Sequence, residues 1–339
     1  MSEPTGVRAR KLKGALRRVA GESRTLKRGY RWLADRYRKI STEAAGLWAR
    51  PRWRDARGTG VEPENIVWIF GSGRSGSTWL RSMMEGLDRH QAWEEPMIGR
   101  LFGEFHDGAP ESDLRRPDFV MADANRKGWM RAIRNFVLDC AGHAHPRLGA
   151  DGYLVVKEPN GSMGAPLLME ALPESRMILL IRDPRDIVSS QLDGARQGGW
   201  MYQRKENDDW KRRALPDKDP EAFVRNRSKK YLLHAGNAKK AYDAHRGPKV
   251  LVRYEDLRAD TLGTMKRIYG TLGIPVNEQD LARVVEKHSW ENIPKEDKGE
   301  GKFYRKATPE GWREDLTPEQ ARIIEKVTAP LLEEFYRPG

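Results

Sequence analysis

Apolar residues along the chain follow one period before about residue 60 and another after it. In the first part they fall at Leu26, Tyr30, Leu33, Tyr37, Ile40, Ala44 and Leu47, with Arg28, Arg31, Arg38 and Lys39 off that stripe. Spacings that alternate between four and three put one apolar face on an amphipathic helix. Beyond a link rich in Pro, Arg and Gly, from Arg50 to Pro63, the pattern becomes short apolar runs: Ile66 to Phe70, Tyr153 to Val156, Met177 to Ile181 and Val250 to Val252. Each run is apolar on both faces and precedes a helical stretch, which predicts parallel strands buried between helices. The expected fold is α/β, a doubly wound parallel sheet flanked by helices, with an N-terminal amphipathic helix. Ligands of such folds bind at the carboxyl ends of the strands. The segment 98–148 reads as a mostly helical insertion, and 196–220, dense in Gly, Trp, Lys and Asp, as a surface loop.

Composition and charge narrow this picture. A chain of 339 residues buries enough surface to fold without a disulfide or metal staple. Cys140 is the only cysteine, which excludes an internal disulfide and fits a reducing, cytoplasmic compartment. No run of eighteen apolar residues occurs, and Arg and Lys stud the N-terminus where a signal peptide needs an apolar block. The chain is therefore expected to be neither secreted nor membrane-spanning. Its net charge of +13 is concentrated, because residues 1–57 hold seventeen Lys and Arg against five acids. That basic extension suits docking on the protein core or on a second subunit, which makes an oligomer one option. It also suits an anionic membrane surface, where each basic residue adds about 1 kcal/mol. It lacks the aromatic and basic interleaving of a nucleic-acid platform. The remainder is close to neutral, so an anion has to be held by a focused site.

Directly after the first strand run comes Gly71 to Leu80, GSGRSGSTWL, opening a helical stretch. Glycine lets the backbone turn with its N–H groups converging, and a helix N-terminus adds positive potential. Strand, Gly-rich loop and helix together make a P-loop-like anion cradle. Compared with the nucleoside triphosphate loop G-x-x-x-x-G-K-[ST], Ser77 stands where the lysine belongs. After the third run, Arg182 precedes Asp183 and Pro184, a cap and a first-turn residue for a helix. Arg182 and Ser190 are eight residues apart and can face one phosphate, a forked donor beside a hydroxyl. An ion pair between Arg182 and some carboxylate is the plainer alternative. Near the C-terminus, Phe303 to Arg313 is a further basic loop, and Thr317 to Gln320 starts a last helix.

These three segments, in this order, resemble the family of sulfotransferases that use 3′-phosphoadenosine 5′-phosphosulfate (PAPS), from about residue 64 to the end. The resemblance implies a sulfotransferase domain over 64–339 that moves a sulfuryl group from PAPS to an acceptor hydroxyl and releases adenosine 3′,5′-bisphosphate. It assigns Gly73, Arg74, Ser75, Gly76, Ser77 and Thr78 to the loop around the 5′-phosphosulfate, Trp79 to the adenine, and Arg182 and Ser190 to the 3′-phosphate. Arg305, Lys306 and Thr308 match the R-K-G-T loop that closes over the 3′-phosphate, with Trp312 after it. Ala307 replaces the glycine of that loop, which puts its closest backbone approach in question. No metal is implied.

A hydroxyl attacks sulfur poorly until a base takes its proton. In the cytosolic branch of the family that base is a histidine two residues after a lysine. Here Lys157 is present and Pro159 takes the histidine's place. Glu94-Glu95-Pro96 instead resembles the carboxylate base of the tyrosylprotein and bacterial glycolipid branches, with Glu95 at the matching distance from Arg74. Lys157-Glu158-Pro159 resembles the K-D-P of the tyrosylprotein branch. The expected catalytic group is Glu95 as base, with Lys157 and Arg74 stabilising charge on the sulfuryl and leaving phosphate oxygens. Glu94 competes with Glu95, and solvated loop acids and a buried structural lysine are the plain readings of the same residues. The EEP likeness points to a glycan or glycolipid acceptor, with a phenol left open. Trp200, Tyr202, Trp210 and the segment 98–148 are expected on the acceptor side. Two rivals stand beside this reading: a P-loop kinase or nucleoside triphosphatase, and a non-enzymatic membrane or nucleic-acid adaptor built on residues 1–57.

Overall fold

The computed structural model describes residues 61–203 and 216–336. The expected helix over 26–47, with the rest of the basic extension, lies outside the described residues, as do residues 204–215 of the expected loop. Five strands, all paired in parallel, form one sheet in the order β2-β3-β1-β4-β5. They are β1 (Ile66–Gly71), β2 (His90–Glu94), β3 (Tyr153–Lys157), β4 (Arg176–Ile181) and β5 (Lys249–Arg253). The four expected runs are β1, β3, β4 and β5. The sequence gives no sign of β2, because HQAWE is an edge strand that stays partly exposed along its length and so carries no continuous apolar run.

The longer helices are α1 (Ser77–Glu85), α2 (Ile98–Asp107), α3 (Arg126–Ala144), α4 (Ala165–Ala171), α5 (Pro184–Ala195), α6 (Pro220–Ala244), α7 (Tyr254–Ala259), α8 (Thr261–Leu272), α9 (Glu278–Lys287) and α10 (Pro318–Phe335). Alternation along the strands divides the core in two. Ile66, Trp68 and Phe70 of β1 pack with Val156, Leu179 and side chains of α3, α4 and α6. Val67 and Ile69 pack on the other face with Val155, Leu180 and side chains of α1, α8 and α9. Helices therefore cover both faces, as the doubly wound reading requires. The segment 98–148 is mostly helical, in α2 and α3. Asp183 caps α5 by accepting from the Arg185 N–H, and Thr317 with Gln320 forms a reciprocal capping box on α10. No described helix is long and apolar enough to cross a membrane.

A parallel sheet gathers the carboxyl ends of its strands at one edge. Register places Glu94 beside Lys157 across β2 and β3, and Gly71 beside Leu180 across β1 and β4. The loop after Gly71, the Glu94-Glu95 pair, Lys157 and Arg182 all leave the sheet at that edge.

Candidate active site

The turn after β1 is shaped by its backbone. Arg74 (φ 77°) and Gly76 (φ 92°) are both left-handed. At Gly76 an added Cβ would stand 2.6 Å from the ring of Tyr254, so the position accepts only glycine. Among the described residues no side chain caps α1, which leaves its first N–H groups to whatever the turn holds. Ser75 is buried, and its hydroxyl has no partner among the described residues.

Cations crowd this turn. Arg182 Nη1 donates to the Arg74 carbonyl at 3.1 Å, and its guanidinium lies 4.2 Å from the Tyr254 ring centroid. Arg182 Nε is buried with no partner among the described residues. Arg74 reaches across to the other element: its Nε donates to Ser190 Oγ at 3.1 Å and its Nη2 to the Phe303 carbonyl at 2.6 Å. The rings of Phe303 and Trp200 lie 4.6 and 5.1 Å from the Arg74 guanidinium carbon. Burial, and after it the charge of Arg182, pushes the Arg74 pKa down to about 10. Neither Arg74 nor Arg182 makes an ion pair within 4 Å among the described residues; the carboxylate that Arg182 acts on is that of Asp186, through space. Like charges brought together out of water disfavour one another, and an anion between them removes that cost.

The C-terminal basic loop is pinned to α5. Asp186 accepts from the N–H groups of Glu310 at 2.9 Å and Trp312 at 3.0 Å. Arg305 donates to Ser189 Oγ at 2.9 Å and is bonded to Asp315. Lys306 Nζ stands 3.0 Å from both Glu314 and Asp315, and the Thr308 hydroxyl donates to the Lys306 carbonyl. Acids within the loop thus balance its own cations. Ala307, in the glycine position, is left-handed at φ 51°. Trp312 lies outside the cavity, flanked by the guanidinium groups of Arg185 and Arg313 at 4.2 and 4.7 Å.

Beside this sits the acid and lysine group. Lys157 is buried and its Nζ donates to Glu94 Oε1 at 2.5 Å and Glu95 Oε1 at 2.7 Å. Asn160 Nδ2 donates to the other oxygen of Glu95 at 2.6 Å. Arg81 Nε lies 3.1 Å from Glu94 Oε2. Every site residue singled out from the sequence, Ser75 and Trp312 excepted, lines one cavity of about 700 Å³. Trp79 is among them, with its Nε1 donating to the His288 carbonyl at 2.7 Å. Of the segments expected on the acceptor side, the loop contributes Trp200 and Met201, and 98–148 contributes no lining residue. The side chain of Tyr202, like Trp210, is outside the described set.

Residues 67–278 match the model of the sulfotransferase family, well over half of the chain. The chain belongs to the sulfotransferase family. No curated protein matches the sequence. Among solved structures, the sulfotransferase STF9 from Mycobacterium avium aligns with a TM-score of 0.50 at 14% identity, over 82% of this chain and 78% of that one. Mouse sulfotransferase SULT7A1 complexed with PAP gives 0.48 at 15% identity, over 80% and 85% of the two chains. Retinol dehydratase in complex with retinol and PAP gives 0.47 at 18%, over 86% and 88%. At these identities the likeness to STF9 concerns the fold alone.

Several residues of this sulfotransferase site are not among those expected from the motifs. Tyr254 packs against Gly76, Trp79 and Arg182. It immediately follows β5, where the strand-end rule gave a signal. Asn160 and Asp186 act through partners distant in sequence and carry no local signature. Arg227, Tyr231 and His234 of α6 line the cavity, and their spacing of four and three shows that they share one helix face.

Proposed function

We propose that this sulfotransferase uses PAPS as donor and transfers its sulfuryl group to an acceptor hydroxyl, with Glu95 as the base. The acceptor oxygen bonds to sulfur, its proton passes to Glu95, and the bond from sulfur to the 5′-phosphate oxygen breaks to release adenosine 3′,5′-bisphosphate. Lys157 and Arg74 stabilise charge on the sulfuryl and departing phosphate oxygens. The observation that supports this best is the span of Arg74, whose backbone belongs to the first anion loop and whose guanidinium touches Ser190 of the second. Two anionic ends of one donor suit that arrangement, and the Arg182 Nε, which has no partner among the described residues, suits a phosphate. Glu95 is preferred to Glu94 because it is the less exposed of the two, at 30% against 49%, and because Asn160 orients it.

Glu95→Gln is expected to lower turnover about 10²–10⁴-fold while calorimetry still detects adenosine 3′,5′-bisphosphate binding. Near-native turnover would move the base elsewhere, and a wild-type chain with no affinity for that nucleotide would remove the donor assignment. Activity that persists in EDTA separates this reading from a P-loop kinase, whose phosphoryl transfer needs Mg²⁺. The EEP element favours a glycan or glycolipid acceptor. Mass spectrometry for a product heavier by one sulfuryl group, with labelled PAPS and a host lipid extract, tests that choice. The basic surplus of residues 1–57 supports their attachment to an anionic membrane surface.

A further inference from the structure

Beneath the turn that carries Glu95 lies a carboxylate with no part in the proposed chemistry. Glu158 follows Lys157 in the chain and is fully buried. Its Oε2 accepts from the Met97 N–H at 3.1 Å and its Oε1 from the Gly99 N–H at 3.2 Å. The backbone it holds resists its own conformation: Glu95 and Met97 are both left-handed, at φ 43° and 62°, a region that side chains disfavour. No side chain of its own caps α2, which starts at Ile98, so Glu158 supplies that cap from another element. Space is reserved for it. A Cβ on Gly161 would stand 1.9 Å from Glu158 Oε1, and one on Gly99 would stand 2.1 Å from the Gly161 carbonyl oxygen.

We propose that Glu158 is the positioning residue for Glu95, holding the turn from Glu95 to Met97 when ionised and releasing it when protonated. This rests on the reading of Glu95 as the base. A carboxylate accepts strongly through both oxygens, whereas a carboxylic acid turns one of them into a hydroxyl that accepts weakly. Protonation therefore loosens one of the two N–H bonds and lets the strained turn relax, so Glu95 moves from its place against Lys157 and Asn160. A displacement of about 1 Å at a reacting group costs up to about 100-fold in rate.

The surroundings put this change in the neutral range. Burial, opposed by the two N–H bonds, pushes the Glu158 pKa up to about 7, with Glu95 raising it and Lys157 lowering it. Lys157 is shared with Glu94. On the α6 side, His234 donates a ring N–H to the Pro159 carbonyl at 2.9 Å, and burial lowers its own pKa. Because the folded-state pKa lies above the ordinary carboxylate value, the stability it contributes is present below that value and lost as pH rises through about 7. Turnover runs the other way and rises as Glu158 ionises. Opposite pH responses of stability and rate, both tied to one residue, are the signature.

The test uses the full chain with ¹⁵N-labelled glycine and methionine. In the wild type the Gly99 and Met97 amide signals are expected to titrate together in the neutral range. In Glu158→Gln that titration disappears and the fall of thermal stability with rising pH flattens. PAPS turnover is followed as released adenosine 3′,5′-bisphosphate with 4-nitrophenol as probe acceptor. Its pH profile should lose the neutral limb in the variant, with kcat about tenfold to 100-fold lower and KM for PAPS unchanged. Glu158→Asp, which keeps the charge on a shorter stem, should restore part of the limb. Amides that do not titrate in the wild type overturn the proposal even if the variant fails to fold, and so does a wild-type pH profile in Glu158→Gln. A wild-type chain that does not bind adenosine 3′,5′-bisphosphate, or a Glu95→Gln variant at native turnover, overturns the donor or base reading instead and leaves the amide titration standing.

Discussion

Ala307 shows how a single residue can carry a cost that its loop absorbs. It occupies the glycine position of the R-K-G-T pattern and keeps the backbone that glycine would adopt, at φ 51°. An L residue there costs roughly 1–2 kcal/mol, part of which glycine would return as entropy of the unfolded chain. Its carbonyl still accepts from Arg258 Nε at 3.3 Å, so the loop keeps its course. Ala307→Gly should therefore stabilise the protein by about 0.5–1 kcal/mol, seen as a melting temperature about 2 °C higher. It should also leave adenosine 3′,5′-bisphosphate binding equal or tighter by calorimetry. A lower melting temperature would mean that the methyl group packs usefully, against this account.

Between elements, the decisive contact joins α5 to the C-terminal basic loop through Asp186. Its two oxygens take the N–H groups of Glu310 and Trp312, and burial raises its pKa against the opposing pull of Arg182. Asp186→Ala removes both bonds and leaves two backbone donors without partners, at about 1–3 kcal/mol each where they stay buried. The loop bearing Arg305, Lys306 and Thr308 should then detach. Hydrogen exchange across residues 305–313 is expected to rise, and the affinity for adenosine 3′,5′-bisphosphate to fall at least about tenfold, as about 1.4 kcal/mol implies. Unchanged exchange would show the loop to be held by its own ion pairs. The same contact explains what the sequence leaves unseen. β1, β3 and β4 are legible because both their faces are buried, β5 because its short apolar run keeps Val250 and Val252 buried at the other edge, and the anion turn because its glycines and the helix after it are neighbours in the chain. β2 is hidden because an edge strand can remain polar. Asp186 is hidden because its partner Trp312 lies 126 residues away, and Asn160 because its meaning depends on Glu95, 65 residues distant. Local order sets the strands, turns and caps, whereas the fixing of the basic loop and of Glu95 depends on register and packing.

For the molecule as a whole, charge is divided between a strongly basic extension and a body that is nearly neutral. Residues 1–57 hold a surplus of twelve positive charges, which leaves the remaining 282 residues at a net +1. A donor carrying several negative charges could be attracted by the extension at long range or gripped by the body at short range, and the two differ in range and in salt response. At physiological salt, exposed charges are screened beyond about 8 Å, while buried ones are screened far less. Arg74 is a half-buried cation that touches Ser190, so on the proposed donor reading the grip belongs to the body. A chain lacking residues 1–57 should then bind adenosine 3′,5′-bisphosphate with an affinity within about threefold of the full chain at 0.15 M salt. Nucleotide at 100 times its Kd should add about 2.7 kcal/mol of stability to either form, close to 5 °C in melting temperature. The extension should matter only to the association rate at low ionic strength, where steering by the whole field is strong. If the truncated chain stays folded but loses the nucleotide-induced shift, the binding energy resides in the extension and the cavity at the strand ends is not the donor site.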